Sequence, residues 1–139
     1  MEVLIPDFRG RKEYIEKIAE LKPEIISHNM ETVRRLTPEV RSVATYDTSL
    51  EVIRSISESG VRSKSGIMLG LGEREEEILE TMADLRNAGC EVMTIGQYLQ
   101  PTKKHYPVKE YITPEKFEEY KRKGLEMGFA HVESGPLVR

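Results

Sequence analysis

The chain has 139 residues, 38% of them hydrophobic and 32% charged, which places it in the range of one ordinary soluble domain with a real core. Its net charge of -3 with interspersed signs gives no basic stripe, which argues against nucleic acid as the main partner. No apolar run approaches the roughly 20 residues of a membrane span, MEVLIPDFRG lacks the basic start of a signal peptide, and the single cysteine, Cys90, suits a reducing cytoplasmic compartment.

In chain order, EVLIPDF (residues 2–8) reads as a short strand, and RKEYIEKIAELK (residues 11–22) sets Tyr14, Ile15, Ile18 and Leu21 on one helical face. EIISHN (residues 24–29) is a second strand. It leads through ETVRRL to TSLEVIRSISESG, where Leu50, Ile53 and Ile56 recur at helical spacing until Gly60 stops the helix. The third strand lies in KSGIMLGLGE (residues 64–73), apolar over Gly66, Ile67, Met68 and Leu69 before the turn residues Gly70, Leu71, Gly72 and Glu73. EREEEILETMADLRNAG (residues 73–89) is the strongest helix: acidic residues fill its first turns, at the positive end of the dipole, and Gly89 is the expected C-cap. EVMTIGQYL (residues 91–99) is a fourth strand, followed by a loop with proline and lysine to Ile112. Thr113, Pro114 and Glu115 open the helix PEKFEEYKRKGLEMG, and FAHVESGP (residues 129–136) is a fifth strand.

Strands alternating with helices imply right-handed parallel βαβ units and the α/β class. No linker or low-complexity segment interrupts them, so residues 1–139 read as one domain. Five βα repeats fall short of the eight in a full barrel of about 250 residues. The expected fold is therefore a partial parallel (β/α) TIM-like barrel lacking the first strands, with open sheet edges that another chain completes or that favour self-association.

The carboxyl ends of the strands collect Asp7; His28, Asn29 and Glu31; Gly70, Gly72 and Glu73; Gln97, Tyr98 and Gln100; Ser134 and Gly135. In parallel α/β folds ligands bind at that edge, where the loops converge, so one shared nucleotide-sized polar site is expected there. Several residues keep two readings. Glycines after a strand serve a tight turn or admit a ligand. His28 and His131 suit a hydrogen-bonded structural role or a catalytic one. Asn29 with Glu31 suits ribose hydroxyls or a local Asx-turn. Glu75, Glu76 and Glu77 read as a solvated helix start, and Met82, Met93 and Met127 as core filler.

Taken together, the segments SHNMETVRRL, SKSGIMLGLGE, IGQYLQPTKKHYPVKEY and EMGFAHVESGPLVR resemble, in one order and nearly end to end, the carboxyl-terminal two thirds of the lipoyl synthase family of radical S-adenosylmethionine enzymes. The resemblance implies a partial parallel barrel, S-adenosylmethionine and two 4Fe-4S clusters. It also implies insertion of sulfur at C6 and C8 of an octanoyl chain borne by a lipoyl carrier domain or H protein. One cluster cleaves S-adenosylmethionine to a 5'-deoxyadenosyl radical and the other is the sulfur donor; the protein orients the groups.

Carried over by position, Gly66, Met68, Gly70 and Glu73 match the Gly-x-x-x-Gly-x-x-Glu pattern whose strand packs against adenine, where glycine permits close approach. Asn29 and Glu31 match the strand that contacts the ribose. Gln97, Tyr98 and Leu99 match the region flanking adenine and the substrate channel. Arg41 falls where the family has an arginine suited to a carboxylate. Lys64, Ser65 and His105 are also family-like and take no assigned role.

Two departures stand out. The family holds its clusters with two cysteine triplets upstream of the matching segment, and none of those cysteines occurs here. The family also continues past GPLVR into Ser-Ser-Tyr, whose serine ligates the second cluster, whereas Arg139 is the last residue here. Cys90 matches no ligand position and reads as a small buried hydrophobe. The expectation is thus the barrel portion of such an enzyme, inactive by itself for want of thiolates. The alternatives are one half of a split enzyme acting as a binding module, and an unrelated phosphate-binding TIM-like barrel that cradles its ligand at Gly70 and Gly72.

Overall fold

In the computed structural model, which describes residues 1–41 and 43–138, five parallel strands form one sheet in the order of the sequence. The strands are β1 (Glu2–Leu4), β2 (Ile25–Ser27), β3 (Arg62–Leu69), β4 (Val92–Gln97) and β5 (His131–Gly135). Between them run α1 (Lys12–Ala19), the short α2 (Thr37–Val40), α3 (Tyr46–Glu58), α4 (Glu75–Asn87) and α5 (Pro114–Glu126). Arg139, after which the family's serine motif was expected, lies outside the described residues.

Period-two alternation explains how the sheet buries one face. Along β3, Ser63, Ser65, Ile67 and Leu69 are buried at 0–3% exposure, while Lys64, Gly66 and Met68 alternate with them on the other side. The helices cover the first face with Ile15, Ile53, Ile56, Met82, Leu85 and Phe117, all fully buried. The register sets Lys64 beside Val92 and His131, Gly66 beside Thr94 and Glu133, and Met68 beside Gly96 and Gly135. These rows line the open face of a partial (β/α) barrel. β1 and β5 are its edges.

The helix ends follow the sequence signals. Thr113 accepts from the Lys116 amide at 3.2 Å to cap α5, with Pro114 in the first turn. Gly89, at φ +101, closes α4 with hydrogen bonds from its own amide to Arg86 O and from the Cys90 amide to Leu85 O, a Schellman pair.

Several boundaries differ from the pattern reading, each for a local reason. β1 stops at Leu4 because Pro6 has no N–H to continue the ladder and Asp7 accepts from the Arg9 amide at 2.9 Å, starting the 3-10 turn Phe8–Gly10. ETVRRL, given no element by the pattern, forms a 3-10 turn over Arg34–Leu36 that runs into α2, where Pro38 stands at the start. β3 begins earlier than its apolar run, at Arg62, because residues 62–64 pair with β2. α4 begins at Glu75 rather than Glu73, since the Glu73 carboxylate turns back to bind the preceding turn.

Candidate functional site

At the carboxyl edge of the open face lies a cleft of about 390 Å³, within the size range of small-molecule sites. It is lined by Asn29, Glu31, Gly66, Ile67, Met68, Thr94, Gly96, Gln97, Tyr98, Leu99, Pro101 and Val138. A second cleft shares Asn29 and Glu31 with it and adds Leu4, Ile5, Pro6, His28 and Arg41. Asn29 and Glu31 stand between the two as a shared wall. Of the residues singled out in the sequence, Asn29, Glu31, Gly66, Met68, Gln97, Tyr98 and Leu99 meet in the first cleft and Arg41 in the second.

Glu31 is held in place by backbone pairing against a strained conformation. Its φ of 72° is in the left-handed region, which costs a non-glycine residue roughly 1–2 kcal/mol. Two hydrogen bonds of 2.9 Å, from its amide to Gly66 O and from the Met68 amide to its carbonyl, clamp it onto β3 in a parallel bridge. Burial pushes the Glu31 carboxyl above its ordinary range, opposed by the Arg41 charge and the Asn29 amide. Burial likewise lowers the Arg41 guanidinium, against the pull of Glu31 and Asp7.

The tautomer of His28 follows from its partners. Its Nδ1 is 3.0 Å from Ile5 O, which can only accept, so Nδ1 carries the proton. Its Nε2 is 2.8 Å from Ser49 Oγ, whose oxygen accepts from Arg41 Nη1 at 2.9 Å and whose proton is left for the ring. Burial moves His28 below its usual range, in keeping with this neutral form. Of its two readings, the hydrogen-bonded structural one fits: His28 ties β1, α3 and Arg41 together. His131 lies exposed at the start of β5, 3.4 Å from Glu133, away from the carboxyl edge.

Gly70 and Glu73 lie outside the cleft lining. The Glu73 oxygens accept from the Gly70 amide at 3.0 and 3.2 Å and from the Leu71 amide at 3.0 Å. Burial pushes this carboxyl up, the two amides pull it down, and Glu110 adds to the rise. Those amides are the donors a phosphate would need, so the turn is no phosphate cradle: a side-chain carboxylate already fills it. Gly70, at φ +98, is small because a Cβ there would strike Glu110 O and Gln97 Nε2.

Gln97 reaches away from the cleft. Its Nε2 donates to Glu110 O at 2.9 Å and its Oε1 accepts from the Ile112 amide at 2.9 Å, so it fixes the loop over the Gly70 turn. Thr94, Gly96, Pro101 and Val138 are lining residues that sequence reasoning missed. Strand alternation carries a signal for the first two, which share the face of Gly66 and Met68. Val138 carried none: the chain folds back after β5 so that its carbonyl passes over Gly96 where a Cβ would sit.

The donors fit the nucleoside part of S-adenosylmethionine. Amide and carboxylate at Asn29 and Glu31 suit vicinal hydroxyls, and Met68, Tyr98 and Leu99 suit a planar base. They do not fit an iron–sulfur cluster. Among the described residues no group of three or more His, Cys, Asp or Glu is placed to hold a metal ion. Cys90 is fully buried, donates toward Val92 O, and burial pushes its thiol up to about 12. No helix among the described residues is long and apolar enough to cross a membrane.

Comparison with known proteins bears on the family and the fold. The model of the radical SAM superfamily matches residues 1–85. The chain is 66% identical over 140 residues to the lipoyl synthase of Flavobacterium johnsoniae, covering 100% of this chain and 49% of that protein. It is 67% identical over 139 residues to the lipoyl synthase of Treponema denticola, covering 100% of this chain and 48% of that one. The chain thus spans about half the length of the curated relatives it matches. A domain of pyruvate-formate lyase-activating enzyme from Bacteroides vulgatus shares the fold, with a TM-score of 0.66 over 95% of this chain and 80% of that one at 15% identity.

Proposed function

We infer the function from one premise: the chain belongs to the radical SAM superfamily. The two adjoining clefts are the wall that receives S-adenosylmethionine. Asn29 and Glu31 take the ribose hydroxyls, and Gly66 with Met68 lies against adenine. Tyr98 and Leu99 flank the base and face the acyl substrate, while Arg41 pairs with the methionine carboxylate. Gly70 and Glu73, outside the lining, and Gln97, within it, act as positioning residues that hold the turn and the loop shaping this wall.

The activity in which the wall takes part is that of lipoyl synthase, insertion of sulfur at C6 and C8 of an octanoyl chain carried by a lipoyl domain or H protein in the cytoplasm. The group that reductively cleaves bound S-adenosylmethionine needs thiolates, which this chain does not offer, so by itself the chain binds and orients but does not turn over. Its one cysteine, buried, favours a working site whose cluster ligands lie outside residues 1–139. Residues 1–139 act here as one domain.

One observation carries the reading. Asn29 and Glu31 after β2, Gly66 and Met68 on β3, and Tyr98 and Leu99 after β4 come from three separate segments and converge on one cleft. The test is titration of the isotope-labelled chain with S-adenosylmethionine, followed by amide chemical shifts. Shifts at Asn29, Glu31, Gly66, Met68 and Leu99, with none at Gly89 or Lys121, are expected. Shifts confined to other faces would overturn the assignment.

A further inference from the structure

We propose that the loop between β4 and α5 docks an acidic face of the carrier protein that delivers the acyl chain. This inference rests on the reading above that the substrate chain is protein-bound. The loop spans residues 98–113, sixteen residues with no regular secondary structure. Loops longer than about 12–15 residues are uncommon in compact domains and usually functional.

This loop is fixed despite its length. The Lys109 amide donates to Gly70 O at 2.7 Å, and Gln97 holds Glu110 and Ile112 from both ends of its amide. The Tyr98 hydroxyl donates to Tyr106 O, and Gln100 Nε2 donates to His105 O at 3.0 Å. The Lys104 amide and the His105 ring both meet Thr102 Oγ1. A backbone tied down in this way presents its side chains at defined places.

The side chains presented are mainly basic, with one exposed acid, Glu110, among residues 98–113. From Pro101 to Lys109 there are three lysines and a histidine and no acid, in a chain whose net charge is -3. Lys103, Lys104 and Lys109 are exposed, and among the described residues none has a carboxylate within 4.0 Å. The patch adjoins the cleft, since Leu99 and Pro101 belong to both the loop and the lining. Leu99 and Tyr111 add exposed apolar surface, 46% and 71%. Positive charge beside exposed aliphatic and aromatic side chains at the mouth of a substrate cleft is complementary to an acidic protein surface, and such charges act mainly on encounter rate and register. A carrier held there would present its acyl arm past Leu99 into the cleft.

The test measures binding of the chain to an octanoylated lipoyl carrier domain with an acidic face around its modified lysine, at low and moderate salt. The expected result is that K103E/K104E/K109E weakens binding about tenfold or more and abolishes its salt dependence, because exposed charges are screened within about 10 Å at 0.1 M salt. A control pair on α5, K121E/R122E, is expected to leave binding unchanged. No binding of the unaltered chain, equal loss in both variants, or a salt-independent affinity would overturn the proposal. So would equal affinity for duplex DNA or for anionic phosphatidylserine vesicles. Failure here with the S-adenosylmethionine shifts intact sinks only the docking face; loss of those shifts with carrier binding intact sinks the cofactor reading instead.

Discussion

Substituting Gly70 and Gly72 by alanine separates a glycine that holds a loop from one that only makes a turn. Both have strained backbones, at φ +98 and +105, so each alanine carries roughly 1–2 kcal/mol of conformational penalty. At Gly72 the added methyl meets only Lys109 Cγ at 3.6 Å, an ordinary contact. At Gly70 it meets Glu110 O and Gln97 Nε2, so the loop must move. That movement breaks the Gln97 to Glu110 bond and the Lys109 bond to Gly70 O, each worth about 0.5–1.5 kcal/mol net. Gly70→Ala should therefore lose about 1–3 kcal/mol more than Gly72→Ala. The assay is urea denaturation of both variants together with amide hydrogen exchange over residues 98–112. Exchange in that segment should quicken in Gly70→Ala and not in Gly72→Ala. Equal destabilisation with unchanged exchange would refute the argument and return Gly70 to a role in admitting a ligand.

Two further perturbations address the charges. Arg41→Lys should weaken S-adenosylmethionine binding while leaving 5'-deoxyadenosine, which has no carboxylate, unaffected; equal loss for both ligands in parallel titrations would show that Arg41 acts only through Ser49 and Met30, which it also hydrogen-bonds. Glu77 is held at about 2, chiefly by the hydrogen-bonded Arg35 guanidinium and then by the Arg74 amide. A depressed carboxylate stabilises the fold above its unfolded value of 4.5 and loses that contribution as pH falls toward about 2. Thermal unfolding across that window should show an acid slope that Glu77→Gln reduces; an unchanged slope would remove Glu77 from the linkage.

The elements that were legible in the sequence are those whose burial is set by their own periodicity. Leu50, Ile53 and Ile56 announced α3, and the acidic start and Gly89 announced α4. The cleft residues Asn29, Glu31, Met68, Tyr98 and Leu99 were legible because the carboxyl edge of a parallel sheet is fixed by strand order alone. What stayed hidden depends on contacts between distant segments. Gly70 and Glu73 have the spacing of a ligand cradle, yet the same spacing lets the carboxylate reach back two and three residues to the amides of Leu71 and Gly70. Alternation sets Gln97 with Met93 and Ile95, on the face opposite Thr94 and Gly96. Gln97 belongs to the cleft lining, yet its side chain is engaged by partners at 110 and 112, across a loop no local pattern predicts.

The open face itself divides its charge along the strands. At the amino end, Lys64 Nζ lies 2.8 Å from Glu2 Oε1, and Ser27 Oγ donates to the same oxygen at 2.9 Å, linking β1, β2 and β3. The hydrogen bond from Lys64 is the main cause that lowers the Glu2 carboxyl. Half-exposed pairs of this kind contribute about 0–1 kcal/mol, so stability does not account for the arrangement. Its effect is to neutralise the only lysine on the open face of β3 two residues below Gly66. Above that row the cleft lining carries Gly66, Met68, Thr94 and Gly96, none of them ionisable, and Glu31, whose carboxyl burial pushes up. A nucleoside entering from the carboxyl edge thus meets, among the lining residues of the two clefts, one acid, Glu31, and the cation Arg41. The lysines of the basic loop are not among the lining residues of either cleft, so the charges that would steer a protein partner do not compete with those that would orient a small cofactor.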